Sequence, residues 1–249
     1  MPYPNYTPKE ISAFREQDEI GTLLMSDDDC VYYLCQEEEA RLAKASGSPS
    51  NHPARKKTMT KKTVTGDIPD LGDWPRFYQE VLGMTPDFSG LVIPNDPGGY
   101  GWILPVAKGL TANRVWAEYK EKRIPCTTYI GDDLDKAVPT HERTAEKASY
   151  IIRVRDRVEA DEELANLSAK QIKKQNLKTM TLTERLLLEL WYLWKTGKHL
   201  DINNITLCAG SRDSGGSVPL VYWRDGELYV SWYYPVDARG FLRARSAVS

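Results

Sequence analysis

Apolar positions recur at helical spacing in several stretches of the chain and alternate near its end. Thr7-Pro8 and Ser26 with Asp27–Asp29 both read as helix starts, and Val31, Leu34, Cys35 and Leu42 share a face, so residues 1–45 predict a short helical segment. Trp74, Phe77, Tyr78 and Val81 predict a helix over Trp74–Leu82. Thr111 caps a helix whose stripe is Val115, Trp116 and Tyr119. The strongest pattern is Thr181–Lys195, where Leu186, Leu187, Leu190, Trp191 and Trp194 form a broad apolar face that Gly197 ends. Polar helical stretches are expected at Asp161–Leu167 and Ser168–Gln175.

Period-two patterns predict strands at Gly90–Pro94 and Trp102–Ala107, around a glycine-rich turn, and at Tyr150–Val158. The clearest strand signal is a hairpin whose turn is Asp225-Gly226, entered by Leu220–Trp223 and left by Leu228–Tyr233. Alternation sorts its faces. Val221 and Trp223 pair naturally with Leu228, Val230 and Trp232 as a core side. Leu220, Tyr222 and Arg224, with Tyr229, Ser231 and Tyr233, take the other. Rigid aromatics, small polar groups and arginine are the composition of a contact surface.

Composition sharpens this picture. The chain has 14 Tyr and 7 Trp against 4 Phe, and seven of those aromatics fall within residues 211–249. None of its 17 lysines lies beyond Lys198, and lysine is depleted from interface cores. At 249 residues, 41% hydrophobic, the chain can bury one substantial core. Net charge is −2, but residues 1–45 carry −6, residues 46–66 carry +5 and residues 67–249 carry −1. The basic stretch, with Arg55, Lys56, Lys57, Lys61 and Lys62, lacks apolar periodicity and is expected to be a linker or loop rather than a nucleic-acid site. No apolar run is long enough for a membrane span and no secretory leader is recognisable, so a cytoplasmic or virion-associated protein is the default expectation.

Candidate chemistry is sparse. The four cysteines are too few for a disulfide scaffold, and Cys30 and Cys35 lack zinc-site partners. The cluster Gly98, Gly99 and Gly101 lacks the Lys-Ser/Thr of a phosphate loop and reads as a turn. Asp132, Asp133 and Asp135 do not match a calcium loop, so capping is expected of them. His199, alone after its helix, suggests no catalyst. No metal, cofactor or catalytic residue is expected.

The stretches YIIRVRDRVEADEEL (from Tyr150), LDINNITLCAGSRDSGGSVPLVYW (from Leu200) and VSWYYPVDARGFLRARSAVS (from Val230) resemble the C-type-lectin-like variable proteins of diversity-generating retroelements. The resemblance covers the last hundred residues best and fades toward Gly66. It implies an α+β, C-type-lectin-like fold over residues 67–249, with an antiparallel sheet flanked by two helices and a variable region at about 211–249. It also implies binding without catalysis to a protein or cell-surface ligand, through a hypervariable surface diversified by mutagenic retrohoming, with oligomerisation compatible. In the family, copying errors at adenines scatter codons over many residue types but do not yield Lys, Glu, Gln, Met or Trp. Trp223, Glu227 and Trp232 would then be fixed. The exchangeable positions implied are Leu220, Tyr222, Arg224, Ser231, Tyr233, Tyr234, Val236, Asp237, Gly240 and Phe241, with Arg212, Asp213 and Ser214 as further candidates. Trp223, Trp232, Leu242, Arg243 and Arg245 would support them as scaffold. Related alternatives are a formylglycine-generating enzyme, whose cysteine pair Cys126 and Cys208 do not reproduce, and a calcium-dependent sugar lectin, whose sugar-site motifs are missing.

Overall fold

The computed structural model describes residues 70–249; the predicted helices within 1–45, the basic stretch 46–66 and the pair Cys30 and Cys35 lie outside the described residues. Along the chain run α1 (Trp74–Leu82), β1 (Trp102–Val106), α2 (Ala112–Glu121), β2 (Cys126–Thr128), α3 (Leu134–Ala137), β3 (Thr140–His141), β4 (Tyr150–Val154) and a 3₁₀ turn (Glu162–Leu164). There follow α4 (Ala169–Lys174), α5 (Leu182–Thr196), β5 (Ile205–Leu207), β6 (Ser211–Arg212), β7 (Val218–Arg224), β8 (Glu227–Tyr233), β9 (Leu242–Arg243) and β10 (Ala247–Val248).

Local chemistry accounts for the helix ends. The Thr111 hydroxyl accepts the Arg114 N–H at the start of α2. Thr181 and Glu184 form a reciprocal capping box on α5, as Ser168 and Gln171 do on α4. Gly197 closes α5 in the left-handed conformation with φ 68°. Asp133 caps α3, and Asp135 accepts the Asn113 N–H at 3.1 Å, so these acids serve local structure.

Among the described residues the fold is mixed α+β with three sheets. One is antiparallel, in the order β1-β4-β10; a second is the two-stranded β3-β6. The third has the order β2-β8-β7-β5-β9 and is mixed, because β2 runs parallel to β8 and β5 parallel to β9. The α+β class and antiparallel pairing expected are found, with two parallel pairings added in the five-stranded sheet. Gly90–Pro94 forms no strand; Pro94 and nearby Pro97 offer no N–H to a ladder. The Arg-rich end is not one strand either. Leu242–Arg243 joins the five-stranded sheet, Ala247–Val248 joins β4, and Ala244-Arg245-Ser246 crosses between them.

The principal core lies between α1, α2 and α5 and the two larger sheets. It gathers Trp74, Phe77, Tyr78, Val115, Trp116, Tyr119, Leu186, Leu187, Leu190 and Trp191 with Leu104, Ile152, Val221 and Val230. Trp74 stacks on Trp191 (4.9 Å, 9°), and the Trp191 indole N–H donates to Asp73 at 3.0 Å. A second set of buried apolar residues lies outside that cluster: Leu164, Ala169, Ile172, Ile205, Leu207, Val218, Leu220, Phe241 and Leu242. Ile205, Leu207, Val218 and Leu220 share the sheet face opposite Val221 and Val230. The five-stranded sheet is therefore apolar on both faces at its β5 side. Among the described residues, no helix is long and apolar enough to cross a membrane.

Candidate functional site

The hairpin forms with its turn at Asp225 (φ 51°) and Gly226 (φ 83°), the two positive-φ positions of a type I′ turn. Its register pairs Arg224 with Glu227, Tyr222 with Tyr229, Leu220 with Ser231, and Val218 with Tyr233 on one face. Trp223 and Leu228, Val221 and Val230, and Pro219 and Trp232 pair on the other. The face assignment read from alternation is the one observed.

Burial divides the ten predicted contact positions. Leu220 is only 3% exposed and Phe241 only 7%, so neither offers its side chain to a ligand. The reason is the second apolar layer: Leu220 lies across from Leu207 on β5, where the sheet has no solvent face. Tyr222, Arg224, Ser231, Tyr233, Tyr234 and Asp237 are half-buried, and Val236 (63%) and Gly240 are exposed. These eight remain as a strip running from the hairpin tip into the loop that follows β8. Arg212 and Asp213 are half-buried and Ser214 is exposed. Asp213 closes the β6–β7 connection by accepting the Ser217 N–H at 2.7 Å.

The strip is held from several sides. Tyr222 stacks on Tyr229 (5.2 Å, 16°), and Arg224 Nε reaches Asp225 at 3.1 Å. Tyr234 meets Trp232 edge-on at 5.1 Å, and its N–H donates to Asp237 at 3.0 Å. Burial pushes the Asp237 carboxyl above its ordinary value, against the opposing pull of that N–H. The Pro235 carbonyl accepts the Lys170 N–H at 2.7 Å, which pins the loop to the start of α4.

The predicted scaffold residues lie beneath and beside this strip. Trp223 stacks flat on His199 (3.3 Å, 5°), whose Nδ1 contacts the buried Glu189 at 2.9 Å. Leu242 is buried in β9, and Arg243 and Trp232 are half-buried. Arg245 is fully buried and joins a charged cluster. Its Nη2 reaches Asp201 Oδ1 at 2.6 Å, and its guanidinium also donates to the carbonyls of Arg157 and Val158. Arg185 contacts the other Asp201 oxygen at 2.7 Å and Glu189 at 3.0 Å. Two buried cations thus face two buried anions directly under the hairpin, and the Asp201 carbonyl accepts the Trp223 N–H at 3.3 Å.

Three residues on the contact face were not among the predicted positions. Tyr229 and Glu227 flank Tyr222, and Tyr129, just beyond β2, stacks on Tyr229 (6.0 Å, 4°). Alternation already placed Tyr229 on this face. Nothing local placed Tyr129 there, because β2 reaches β8 by a parallel pairing from a hundred residues away.

The arrangement closest to a catalytic constellation is His141 Nδ1 against Ser211 Oγ at 2.8 Å. Ser211 is 1% exposed and its oxygen also accepts the Leu182 N–H at 2.9 Å, so the hydroxyl cannot meet a substrate. Burial lowers the His141 pKa, and the ring also bonds the Val138 backbone. This pair ties β3 and β6 to the start of α5. Cys208 is buried, with its thiol pushed well up by burial, and Cys126 is half-buried. Among the described residues no group of three or more His, Cys, Asp or Glu is placed to hold a metal ion.

No protein-family model matches the chain, and neither the curated proteins nor the solved structures contain a match to it.

Proposed function

We propose that this protein is a non-enzymatic binding protein of the diversity-generating-retroelement type, displaying an exchangeable surface on a C-type-lectin-like scaffold. The observation that carries the reading is the division of labour within one hairpin. Eight predicted positions (Tyr222, Arg224, Ser231, Tyr233, Tyr234, Val236, Asp237 and Gly240) line a half-exposed strip. The alternate residues beneath are buried or stacked: Val221, Leu228 and Val230 enter the principal core and Trp223 packs on His199. Side chains on such a strip can change while the backbone stays fixed. The lectin-like comparison draws support from α2 and α5 packed into the core and from the C-terminal β10 closing beside β4.

Binding on such a surface comes from a few central aromatic anchors, each worth about 2–4 kcal/mol. The test is a display library randomised at those eight positions and selected against a purified test protein such as lysozyme. Most variants should unfold cooperatively, and selected ones should bind with sub-micromolar affinity. Replacing Tyr222, Tyr233 and Tyr234 together by Ala should lower Tm by about 6–12 °C and leave the protein folded, since half-buried ring contacts contribute about 1 kcal/mol each. A library that largely fails to fold, or a triple variant that unfolds, would make these residues part of the scaffold and end the proposal.

A further inference from the structure

A cationic helix face borders the far end of the contact strip. In α4, Ala169 and Ile172 are buried, while Lys170, Lys173 and Lys174 are exposed. Spacings of three and four residues put those lysines on one face of the helix. The start of α4 lies along the loop that carries the end of the strip. The Lys170 N–H donates to the Pro235 carbonyl at 2.7 Å, the Asn166 N–H donates to the Leu242 carbonyl at 3.2 Å, and Ala165 bridges Arg243. The lysine face therefore begins next to Pro235, between Tyr234 and Val236 of the strip.

The fold itself gives these charges no partner. No acid stands three or four residues from any of the three. Among the described residues, the lysines within 4.0 Å of a carboxylate are Lys122, Lys178 and Lys195. The acids of the adjoining segments are turned to other groups. Arg157 holds Glu163 through two contacts of 2.7 and 3.0 Å, and the charges of Asp161 and Glu162 act on the same guanidinium. Glu142 pairs with Lys178 at 3.9 Å, and Asp237 accepts the Tyr234 N–H inside its own loop. Local helix chemistry explains only part of the pattern. Lys173 and Lys174 complement the negative end of the α4 dipole, but Lys170 stands in the first turn, at the positive end, where a cation is disfavoured.

Charge at the rim of a contact surface governs how fast a partner arrives more than how tightly it is held. Its reach is about a Debye length, about 8–10 Å at ordinary salt, which spans the first residues of a docked surface. We propose that the lysine face of α4 steers the strip toward protein partners whose surface is acidic beside the contacted site. This rests on the reading of the hairpin face as a contact surface. A protein suits the charge balance better than nucleic acid does, because residues 67–249 carry −1 and the lysine face is a local patch on a near-neutral domain. The three lysines lie outside residues 211–249, so every variant of the strip would approach its partner with the same charged edge.

The test takes library binders selected against an acidic protein, ovalbumin, and a basic one, lysozyme, each made with and without Lys170→Gln, Lys173→Gln and Lys174→Gln together. Gln matches Lys in helix propensity, so α4 is kept. For ovalbumin the triple change should slow association at least about threefold at about 50 mM salt, leave dissociation within about twofold, and lose its effect at about 500 mM salt. Association with lysozyme should become faster. An unchanged association rate with ovalbumin, or a loss confined to dissociation, would overturn the proposal. The unselected full chain gives a second measurement. Hexaglutamate should shift the backbone amide signals of residues 170–174 and 234–240 in a salt-dependent way, and the triple variant should lose those shifts. Shifts that survive in the triple variant, or tighter binding of hexathymidylate than of hexaglutamate, would also overturn it, the latter by assigning the face to nucleic acid. The two readings fail separately. Folded binders whose association ignores the lysines would remove the steering and leave the exchangeable strip. A library that does not fold, beside clear hexaglutamate shifts, would do the reverse.

Discussion

Replacing Asp201 by Asn is expected to destabilise the protein by about 3–5 kcal/mol, the cost of breaking a buried ion pair while its partners stay buried. Asn is the informative substitution because Asp201 adopts a left-handed conformation (φ 52°), which Asn tolerates and Ala does not. The shape is kept, while the charge is lost and one accepting oxygen becomes an amide donor facing a guanidinium or hydroxyl donor. Arg185 would keep Glu189, while Arg245, also buried, would be left with the Thr206 hydroxyl and the Arg157 and Val158 carbonyls. That loss is a large part of the about 5–15 kcal/mol that holds a domain of this kind together. It would also loosen the junction between α5 and the C-terminal crossing, which the Asp201 carboxylate joins through Arg185 and Arg245.

The effect carries a pH signature. Burial works to raise the Asp201 pKa, but the charges of Arg245 and Arg185, with hydrogen bonds from Thr206 and Arg245, outweigh it and hold the carboxyl below its ordinary value. A lowered folded pKa means the stabilisation is present above the unfolded value of about 3.9 and is lost as pH falls through the lower folded value. Urea denaturation followed by circular dichroism should show a gap between wild type and Asp201→Asn that is flat near neutrality and closes under acid conditions. A gap that does not change with pH would mean the charge is not what the site uses.

Elements governed by local chemistry were legible in the sequence. The cap Thr111, the stop at Gly197 and the turn Asp225-Gly226 need only neighbours within a few residues, and each was found where it was expected. Alternation also gave the two faces of the hairpin. It could not say that the outward face is buried at one end, where β7 is flanked by β5 and Leu220, paired with Leu207, is out of solvent. Leu220 and Phe241 were misjudged for that reason.

The charged cluster shows the same limit from another side. Arg185, Glu189, Asp201 and Arg245 are spread over sixty residues, and on a helical wheel the first two look like ordinary solvent-facing charges of α5. Only their convergence on Thr206 and Asp201 makes them internal. Tyr129 is the third case: a parallel pairing has no turn to announce it, so the edge strand that widens the contact face left no local signal.

Alkali should unfold the protein over a narrow range, and three tyrosines supply the reason. Tyr78 donates to the Pro105 carbonyl at 2.8 Å, Tyr119 to the Leu186 carbonyl at 2.8 Å, and Tyr150 to the Glu184 carboxylate at 2.9 Å. Burial raises all three pKa values, and for Tyr150 the Glu184 charge adds to it. A raised folded pKa means stability is intact below the unfolded value of about 10 and falls as pH rises beyond it. Each such group removes about 1.4 kcal/mol per pH unit, so three remove about 4 kcal/mol per unit. Against a total of about 5–15 kcal/mol, unfolding is expected about one to four pH units above the ordinary tyrosine pKa. The tyrosinate absorbance that these three contribute should therefore rise together with the loss of ellipticity, not before it. Tyr150→Phe discriminates this cause from general charge repulsion. It gives up a hydrogen bond to Glu184, which costs about 1–3 kcal/mol at neutral pH, yet it removes one of the three titrating groups. The variant should be less stable than wild type at pH 7 and lose stability more slowly in alkali, so the two stability curves converge. Parallel curves would show that ionisation of buried tyrosine is not what opens the core.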